Sequence, residues 1–434
     1  MEYKGKKVHF IGVAGVGMSA LVQMLLCREG ARVTGSDNAR FPTLDAVEKL
    51  GISVTIGYDA KNIPDDAELV VYTDAAHDDN VERAEALRRG ISQLSYFAML
   101  GEVSKGKMTI AIAGTHGKTT TTGMLAKILK DAGASPTAVI GSIVKDFGSN
   151  YLHGDSDLFV VEACEYKDHL LELSPKVLVI TNLEWDHTDY FPSFTALQET
   201  FKKAIERVPE YGAIVTNPSD KNVAQLLVNA KAAVIDYTKE PSYKLQLPGE
   251  FNQMNARAAA AAARAVLSRG NPMSTICGHR ISTSLAAFQG TWRRFEYKGK
   301  NKNGADVYDD YAHHPTAVRK TLKTLRTKVK GKIIVAFHPH LYSRTRDLLD
   351  EFATAFGDAD RVLIAPIYAA REIDDGTVSS EILAERIRAT GTDATALDFD
   401  AIEKELTFVD ASDTIITMGA GDIYKVADAL VAHK

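Results

Sequence analysis

The stretch Ile110-Ala111-Ile112-Ala113-Gly114-Thr115-His116-Gly117-Lys118-Thr119-Thr120-Thr121-Thr122 decides the fold of this chain. Its first four residues are typical of a buried strand. The two glycines predict a tight turn, followed by a helix that opens with a lysine and four hydroxyls. Backbone N–H groups of such a turn and helix start point at one spot, where the helix dipole favours negative charge. The stretch therefore predicts a phosphate-binding loop.

The side chains of this loop indicate its ligand. Lys118 can reach the outer phosphates of a nucleotide, and the Thr119 hydroxyl can ligate the accompanying Mg²⁺. The usual pattern has glycine at the position of Ile112, so the loop is a shortened variant. A plain turn before an ordinary helix is the alternative, but four consecutive threonines are poor interior helix formers and are useful at a helix start. We predict that the loop binds ATP through Gly114, Thr115, His116, Gly117, Lys118, Thr119 and Thr120.

Length and composition indicate a globular protein of several domains. The 434 residues suggest about three domains of roughly 150 residues each. A hydrophobic content of 45% and a charged content of 25% are typical of soluble proteins. The formal net charge of −5 provides no basic excess to pair with phosphates, which argues against nucleic-acid or membrane-surface partners. The sequence does not indicate an oligomeric state.

Cysteine usage and the first residues predict a cytoplasmic protein. Cys27, Cys164 and Cys277 are widely spaced and odd in number, which is typical of reduced, packed thiols rather than of a disulfide framework. A strand predicted from Val8 leaves no room for a signal peptide. No apolar stretch is long enough to span a bilayer, and the alanine run 258–263 predicts a packed helix.

Short Val/Ile strands alternate with amphipathic helices along the whole chain. This alternation predicts an α/β architecture with parallel sheets and right-handed crossovers. We predict three domains with boundaries at 1–103, 104–290 and 291–434. Among the helices, we expect one at 18–29 after the first strand and one at 253–267 in the central domain.

The first predicted strand is followed by a glycine-rich turn that comprises Gly12, Ala14, Gly15, Val16 and Gly17. It approximates the Gly-x-Gly-x-x-Gly fingerprint, with alanine at the second glycine. Asp37 lies 20 residues beyond the last glycine, where an acidic side chain would hold a ribose hydroxyl. NAD and a UDP-linked substrate both need such a turn and acid. Because the central domain already supplies an ATP site, we favour the UDP-linked substrate; a purely structural turn is a further alternative.

Polar side chains end two predicted strands of the central domain. Glu162 ends one strand, and His187 lies in the segment after another. Ligands bind beyond the carboxyl ends of the strands in an open parallel sheet. We therefore expect both near the Thr119 hydroxyl, where they could hold Mg²⁺ with water and phosphate oxygens completing the octahedron. The alternatives are a salt-bridged strand end for Glu162 and helix capping for the segment of His187.

Two further polar segments follow predicted strands of the third domain: Asp309-Asp310-Tyr311-Ala312-His313-His314-Pro315 and His338-Pro339-His340-Leu341-Tyr342-Ser343-Arg344-Thr345-Arg346. Adjacent histidines point apart and no cysteine is near, so a polar substrate or nucleotide pocket is favoured over a zinc site. The cations of the second segment could seat a carboxylate or a phosphate.

The motifs together resemble those of the Mur ligases, the ATP-dependent amide ligases of peptidoglycan precursor synthesis. The resemblance runs the whole length of the chain. It rests on the segments already quoted and on Glu162-Ala163-Cys164-Glu165-Tyr166, Asn182…Asp186-His187, Asn252…Asn255-Ala256, Arg293-Arg294-Phe295 and Gly419-Ala420-Gly421-Asp422-Ile423. Within the family, the motifs are most similar to those of the members that use L-alanine.

The resemblance implies a Rossmann-like N-terminal domain, a central P-loop ATPase-type domain and a Rossmann-like C-terminal domain. They would bind, respectively, the UDP-sugar, ATP, and the amino acid with part of the nucleotide. ATP would convert the lactyl carboxylate of UDP-N-acetylmuramate to an acyl phosphate, which the amine of L-alanine would attack. Domain closure would exclude water from this intermediate.

The resemblance also implies roles for individual residues. Lys118, Glu162 and His187 would be catalytic, and Thr119, Glu162 and His187 would ligate Mg²⁺. The ATP site would gain Asn252, Asn255, Arg293 and Asp310. The UDP-sugar would bind at Gly12, Ala14, Gly15, Val16, Gly17 and Asp37, and the amino acid at Tyr311, His313 and Arg344.

Four residues depart from the usual family pattern. Ala14 replaces a glycine, Phe251 and Tyr58 each stand where many relatives have histidine, and Leu341 stands where many have arginine. Because residue 341 carries no positive charge, binding of the amino-acid acceptor would depend more strongly on Arg344. The departures concern substrate contacts rather than the reaction.

Three other functions remain open on the sequence. A related recycling ligase attaches a preformed tripeptide to the same UDP-sugar and shares nearly all of these motifs. A nucleotide-binding oxidoreductase is supported only by the imperfect first fingerprint. A non-catalytic nucleotide-binding scaffold is disfavoured by Lys118, Glu162 and His187.

Overall fold

The computed structural model describes residues 3–40, 43–267, 274–370 and 372–432, with the backbone alone for 274–277. Their contacts form two compact units. The first unit comprises Met1–Leu183, Leu197–Gln246 and Met254–Gln289. The second comprises Glu184–Ala196, Leu247–Gln253 and Gly290–Lys434.

The first unit contains two sheets. The strands of the first sheet are β1 (Lys7–Ile11), β2 (Arg32–Asp37), β3 (Ser53–Ile56), β4 (Leu69–Tyr72) and β5 (Ser92–Ser95). They alternate with the helices α1 (Val16–Cys27), α2 (Leu44–Glu48), α3 (Val81–Arg88) and α4 (Tyr96–Ser104). The sheet order is β3-β2-β1-β4-β5, and its pairings are parallel. The order reverses between β1 and β4, which is where an open sheet of this kind binds ligands.

The strands of the second sheet are β6 (Met108–Ala113), β7 (Thr137–Val144), β8 (Ser149–Leu152), β9 (Leu158–Glu162), β10 (Val177–Ile180), β11 (Ala213–Thr216) and β12 (Ala233–Asp236). The helices of this stretch of chain are α5 (Lys118–Asp131), α6 (Phe194–Glu206), α7 (Lys221–Ala224), α8 (Glu250–Leu267) and α9 (Ser274–Ala287). The sheet order is β12-β11-β10-β6-β9-β7-β8, and only the pairing of β7 with β8 is antiparallel. The strand before the phosphate loop, β6, is thus central.

The second unit contains the third sheet, whose strands are β13 (Glu296–Lys300), β14 (Asp306–Asp310), β15 (Ile333–Phe337), β16 (Arg361–Ile364), β17 (Asp393–Ala396) and β18 (Thr414–Met418). Its helices are α10 (Pro315–Arg326), α11 (Tyr342–Asp347), α12 (Leu349–Ala353), α13 (Ser380–Ala389), α14 (Phe399–Thr407) and α15 (Tyr424–Ala432). The order is β13-β14-β18-β15-β16-β17, with β13 antiparallel to β14. In β15, Val335 and Phe337 pack in one core cluster and Ile334 and Ala336 in another, so both faces of the sheet are covered.

The predicted fold class is confirmed: three α/β sheets follow one another along the chain. Some predicted bounds differ from those observed. The helix expected at 18–29 is Val16–Cys27, and the one expected from 253 begins at Glu250. Asp309 and Asp310 end strand β14 rather than follow it. The domain boundaries at 103 and 290 remain predictions.

The packing predictions have mixed outcomes. The alanine run 258–263 is buried in α8, as predicted. The prediction of a packed thiol is wrong for Cys27, because it lies at the exposed end of α1; Cys164 is partly buried, and both are free thiols. The side chain of Cys277 lies outside the described residues. Among the described helices, none has the length and apolarity needed to cross a membrane.

Candidate active site

The phosphate loop connects β6 to α5, and its glycines are required by the backbone. Gly114 has φ of +124° and Gly117 has φ of +85°. A Cβ at Gly114 would overlap the Thr181 hydroxyl, and one at Gly117 would overlap the Asn255 side-chain oxygen. The loop is therefore folded tightly against β10 and α8.

Asn182 fixes the middle of the loop, although the sequence analysis assigned it no role. Its side-chain oxygen accepts a hydrogen bond from the His116 backbone N–H at 3.0 Å, and its amide donates to the His116 carbonyl at 2.9 Å. The Thr181 hydroxyl donates to the same carbonyl at 2.6 Å. The position of both residues just beyond β10, a neighbour of β6, is the signal that could have identified them.

The ammonium group of Lys118 is held by Glu165. Its Nζ lies 2.9 Å and 3.0 Å from the two carboxylate oxygens and donates to the Gly114 carbonyl at 2.6 Å. Burial alone would lower the pKa of Lys118, but the carboxylate of Glu165 outweighs it and the pKa is raised. Lys118 is therefore a fixed positive charge at the loop. Glu165 was quoted as part of a motif but was not predicted as a site residue.

Thr119 and Glu162 come together as the sequence predicts. The Thr119 hydroxyl donates to Glu162 Oε1 at 3.0 Å, and the Gly141 backbone N–H donates to Oε2 at 2.8 Å. A hydroxyl and a carboxylate side by side are oxygen donors of the kind that Mg²⁺ prefers, so these residues fit the metal. His187 belongs to the second unit, has φ of +54°, and donates its backbone N–H to Asp186 at 2.7 Å.

The turn after β1 also has the predicted form. Gly12 has φ of +84°, and a Cβ there would overlap the Thr73 side chain beyond β4. The buried carboxylate of Asp37 accepts the backbone N–H of Ala14 at 2.8 Å. Burial and the charge of Asp37 raise the pKa of the nearby Tyr58 to about 12. Asp37 thus supports the turn itself, and its contact with a ribose remains a prediction.

Two asparagines at the start of α8 were predicted to bind ATP, and both are buried. The side-chain amide of Asn252 donates to the Pro248 carbonyl at 2.7 Å within the second unit. Asn255 lies against Gly117 of the phosphate loop within the first unit. The structure therefore places Asn255 at the loop.

In the second unit, Arg293 is a structural residue of the third sheet. Its guanidinium donates to Asp309 at 2.8 Å and to the carbonyls of Gly421 and Gly419 at 2.9 Å and 2.6 Å. Only 3% of Arg293 is exposed. Its donors thus bind the loop after β18. The neighbouring Arg294 is less buried, and its guanidinium lies over the Tyr311 ring, 4.7 Å from the ring centroid.

Asp310 is a buried carboxyl at the end of β14. It accepts the backbone N–H groups of Phe295 and Ala312, both at 2.7 Å. Burial raises the pKa of Asp310 to about 6, although the charge of Arg294 opposes the rise. The carboxyl therefore ties the backbone just before β13 to the backbone that follows β14.

Arg344 forms a buried ion pair with Asp186. Its Nε and one terminal nitrogen lie 2.8 Å and 2.7 Å from Asp186 Oδ1, and the other terminal nitrogen lies 3.0 Å from His340 Nδ1. Burial opposes the ionised form of Asp186, yet Arg344 outweighs it and holds the pKa well below the ordinary value. Burial, reinforced by Arg344, lowers the pKa of His313 well below its ordinary value. His313 is therefore neutral at neutral pH, beside this pair.

Three family models match the chain in order. They are the Mur ligase family catalytic domain at residues 7–108, the Mur ligase middle domain at 112–244, and the Mur ligase glutamate ligase domain at 293–421. A UDP-N-acetylmuramate–L-alanine ligase of Clostridium acetobutylicum is 37% identical over 98% of each chain. The chain belongs to the Mur ligase family. A ligase with the same name from Acetivibrio thermocellus is 39% identical over 99% of this chain and 97% of its own.

Solved structures of Mur ligases have the same fold. The UDP-N-acetylmuramate–alanine ligase of Thermotoga maritima superposes with a TM-score of 0.79 at 27% identity, covering 98% of each chain. A murein peptide ligase of Psychrobacter arcticus superposes with a TM-score of 0.74 at 24% identity, covering 99% of this chain and 98% of its own. These matches confirm the prediction of a three-domain Mur ligase.

Proposed function

We propose that this Mur ligase joins L-alanine to the lactyl carboxylate of UDP-N-acetylmuramate with ATP, in peptidoglycan precursor synthesis. The observation that carries the proposal is full-length similarity, at 37–39% identity, to two ligases named for this reaction. The phosphate loop alone would fit many ATP-using enzymes. Since nearly the whole of each relative is matched, the substrate-binding parts are included.

The first step transfers the γ-phosphoryl group of ATP to the lactyl carboxylate. Developing charge on the transferring group has to be neutralised, and Lys118 supplies a fixed positive charge because Glu165 keeps it protonated. Mg²⁺ neutralises phosphate charge when bound, and we propose Thr119, Glu162 and His187 as its ligands. Asn255, Asn252, Asp310 and Arg293 complete the proposed ATP site; Arg293 would act by fixing the loop after β18.

The second step is attack by the amine of L-alanine on the carbonyl carbon of the acyl phosphate, which forms the amide bond and releases phosphate. We propose that Arg344, His313 and Tyr311 form the acceptor site. An α-amino acid carries both charges, and the Asp186–Arg344 pair offers a carboxylate and a guanidinium side by side. The turn with Gly12, Ala14, Gly15, Val16 and Gly17, together with Asp37, is proposed to hold the UDP-sugar. The domain boundaries and a cytoplasmic location are proposed as in the sequence analysis.

Acceptor competition tests the proposal. The full chain is incubated with ATP, Mg²⁺ and UDP-N-acetylmuramate, and with L-alanine, L-serine, glycine or the tripeptide as acceptor; phosphate release and product mass are measured. L-alanine should give the highest kcat/KM, with phosphate release dependent on both substrates. Preference for the tripeptide would favour the recycling reaction, and NADH binding without any ligation would favour an oxidoreductase; either result would overturn the proposal.

A further inference from the structure

Helix α4 belongs in sequence to the predicted first domain but also contacts the segment of chain that connects β9 to β10. The Ser95 hydroxyl caps its first turn by accepting the Ala98 backbone N–H at 3.1 Å. A Cβ at Gly101 would lie 2.6 Å from the Glu172 carbonyl oxygen, so the backbones are in close contact. The Ser104 hydroxyl accepts the Ser174 backbone N–H at 3.2 Å. Contacts at its first turn and at its last turn therefore hold α4 in place.

An aromatic stack adds to these contacts. The ring of Phe97 stacks on His169 with centroids 3.7 Å apart and planes at 14°. His169 Nε2 lies 2.9 Å from a carboxylate oxygen of Asp74, which follows β4. The edge of Tyr96 meets Phe97 at a centroid distance of 4.7 Å. Because Phe97 is stacked on His169, its edge-on contact gives Tyr96 a defined position.

Tyr96 lies at the glycine-rich turn. A Cβ at Gly17 would be 2.8 Å from its hydroxyl oxygen. Burial raises the pKa of the Tyr96 hydroxyl, and the charge of Glu162 adds to the rise. The side chain is partly exposed, and its hydroxyl forms no hydrogen bond to any other described residue. A phenol is a hydrogen-bond donor at neutral pH. The molecule thus presents a fixed donor at the first turn, open to a ligand.

The backbone donors of the turn indicate where a ligand's phosphates would lie. The N–H groups of Gly12 and Val13 bond to the Ser36 carbonyl, and that of Ala14 bonds to Asp37. No side chain caps α1 at Gly15. The first-turn N–H groups of a helix have no intrahelical partners, so the donors left for a ligand are those of Val16, Gly17 and Met18. The Tyr96 hydroxyl lies directly at Gly17.

We propose that Tyr96 is a UDP-sugar-binding residue whose hydroxyl donates a hydrogen bond to a diphosphate oxygen of the sugar nucleotide at Gly17. The inference rests on the proposed function for the presence of the sugar nucleotide. A donor on the rigid helix α4 would also fix the direction in which the nucleotide leaves the turn. Tyr96 is thus a binding residue of the first domain's site, held in place by contacts with the central domain.

The test is Tyr96→Phe, which keeps the ring on Gly17 and removes only the donor. A hydrogen bond to a charged group that is lost in this way should weaken binding roughly 10- to 100-fold. Dissociation constants for UDP and for UDP-N-acetylmuramate are measured by calorimetry without ATP, and KM for ATP is measured separately. Both dissociation constants should rise together while KM for ATP changes less than about twofold. Tyr211→Phe, at an exposed tyrosine of the same unit, is the matched control.

Each other outcome decides against the inference. Unchanged affinity for both ligands would show that the hydroxyl contacts neither. Weaker binding of UDP-N-acetylmuramate alone would place the hydroxyl on the sugar acid instead of the diphosphate. An equal rise in KM for ATP, or a lowered melting temperature, would indicate a structural role. Failure of the wild-type chain to bind UDP-N-acetylmuramate would refute the proposed function, whereas a normal wild type with an unaffected Tyr96→Phe refutes this inference only.

Discussion

The buried Asp186–Arg344 pair should be a main determinant of the stability of the second unit. Asp186→Asn keeps the shape of the side chain and leaves the guanidinium, which is 2% exposed, without a countercharge. Breaking a buried pair by removing one partner costs about 3–5 kcal/mol. We expect the free energy of unfolding of the second unit to fall by this amount, because His340 offers no negative charge in exchange.

Tryptophan fluorescence provides a selective assay. The sequence contains two tryptophans, Trp185 and Trp292, and both belong to the second unit. Urea unfolding followed by this signal therefore reports on the unit that contains the pair. Asp393→Asn, which disrupts a half-exposed pair with Arg361, is the control and should cost less than about 1 kcal/mol.

A double-mutant cycle separates the charge from the packing. Asp186→Asn combined with Arg344→Met removes both charges, so its cost should be below the sum of the two single costs by at least about 1 kcal/mol. The sign of the pH dependence follows from the lowered pKa of Asp186. The stability that Asp186 contributes to the folded unit is complete above the unfolded pKa of about 4. It is lost as the pH falls through the lower pKa of the folded state. Additive costs, or an Asp186→Asn variant within 1 kcal/mol of wild type, would refute this reasoning.

Four further outcomes are expected. Lys118→Ala should abolish ATP turnover in a chain that still folds, with a lowered melting temperature because the buried Glu165 loses its countercharge; product formation by the folded variant would contradict the phosphate-loop assignment. Asp37→Ala should raise KM for the UDP-sugar and leave KM for ATP little changed, and equal effects on both would contradict separate nucleotide sites. Arg344→Lys should raise KM for L-alanine well beyond KM for ATP; an unchanged alanine KM in a folded enzyme would rule out acceptor binding. Because the pKa of Asp310 is raised to about 6, its contribution to stability is complete below pH 4 and declines as the pH rises through 6. Asp310→Asn should therefore remove this decline from the free energy of unfolding measured by urea titration at pH 4 to 8. An unaltered pH profile would contradict this role of Asp310.

The phosphate loop was predictable because its information is local. Gly114 and Gly117 have the positive φ values that the turn requires, and the helix starts at Lys118. The contact of Thr119 with Glu162 followed from the rule that parallel strands end at one edge of the sheet. Both predictions need only chain order and spacing.

Side-chain pairing over long distances was not predictable in the same way. Glu165 is 47 residues from Lys118, and Asp186 is 158 residues from Arg344. Which carboxylate meets which cation depends on how the loops leave their strands, and spacing does not encode this. The Arg293-Arg294 step illustrates the limit. The guanidinium of Arg293 is buried and Arg294 is more open, and spacing does not encode the positive φ of +59° at Arg293.

Leu341 makes the departure from the family's arginine hard to reverse. Its side chain is fully buried, its backbone has φ of +71°, and its N–H and carbonyl are bonded to Tyr368 and Thr345. An arginine at this position would be buried one helical turn from Arg344, so it would add a second buried positive charge where Asp186 neutralises only one. In evolutionary terms, arginine is therefore accessible at this position only together with compensating changes around it.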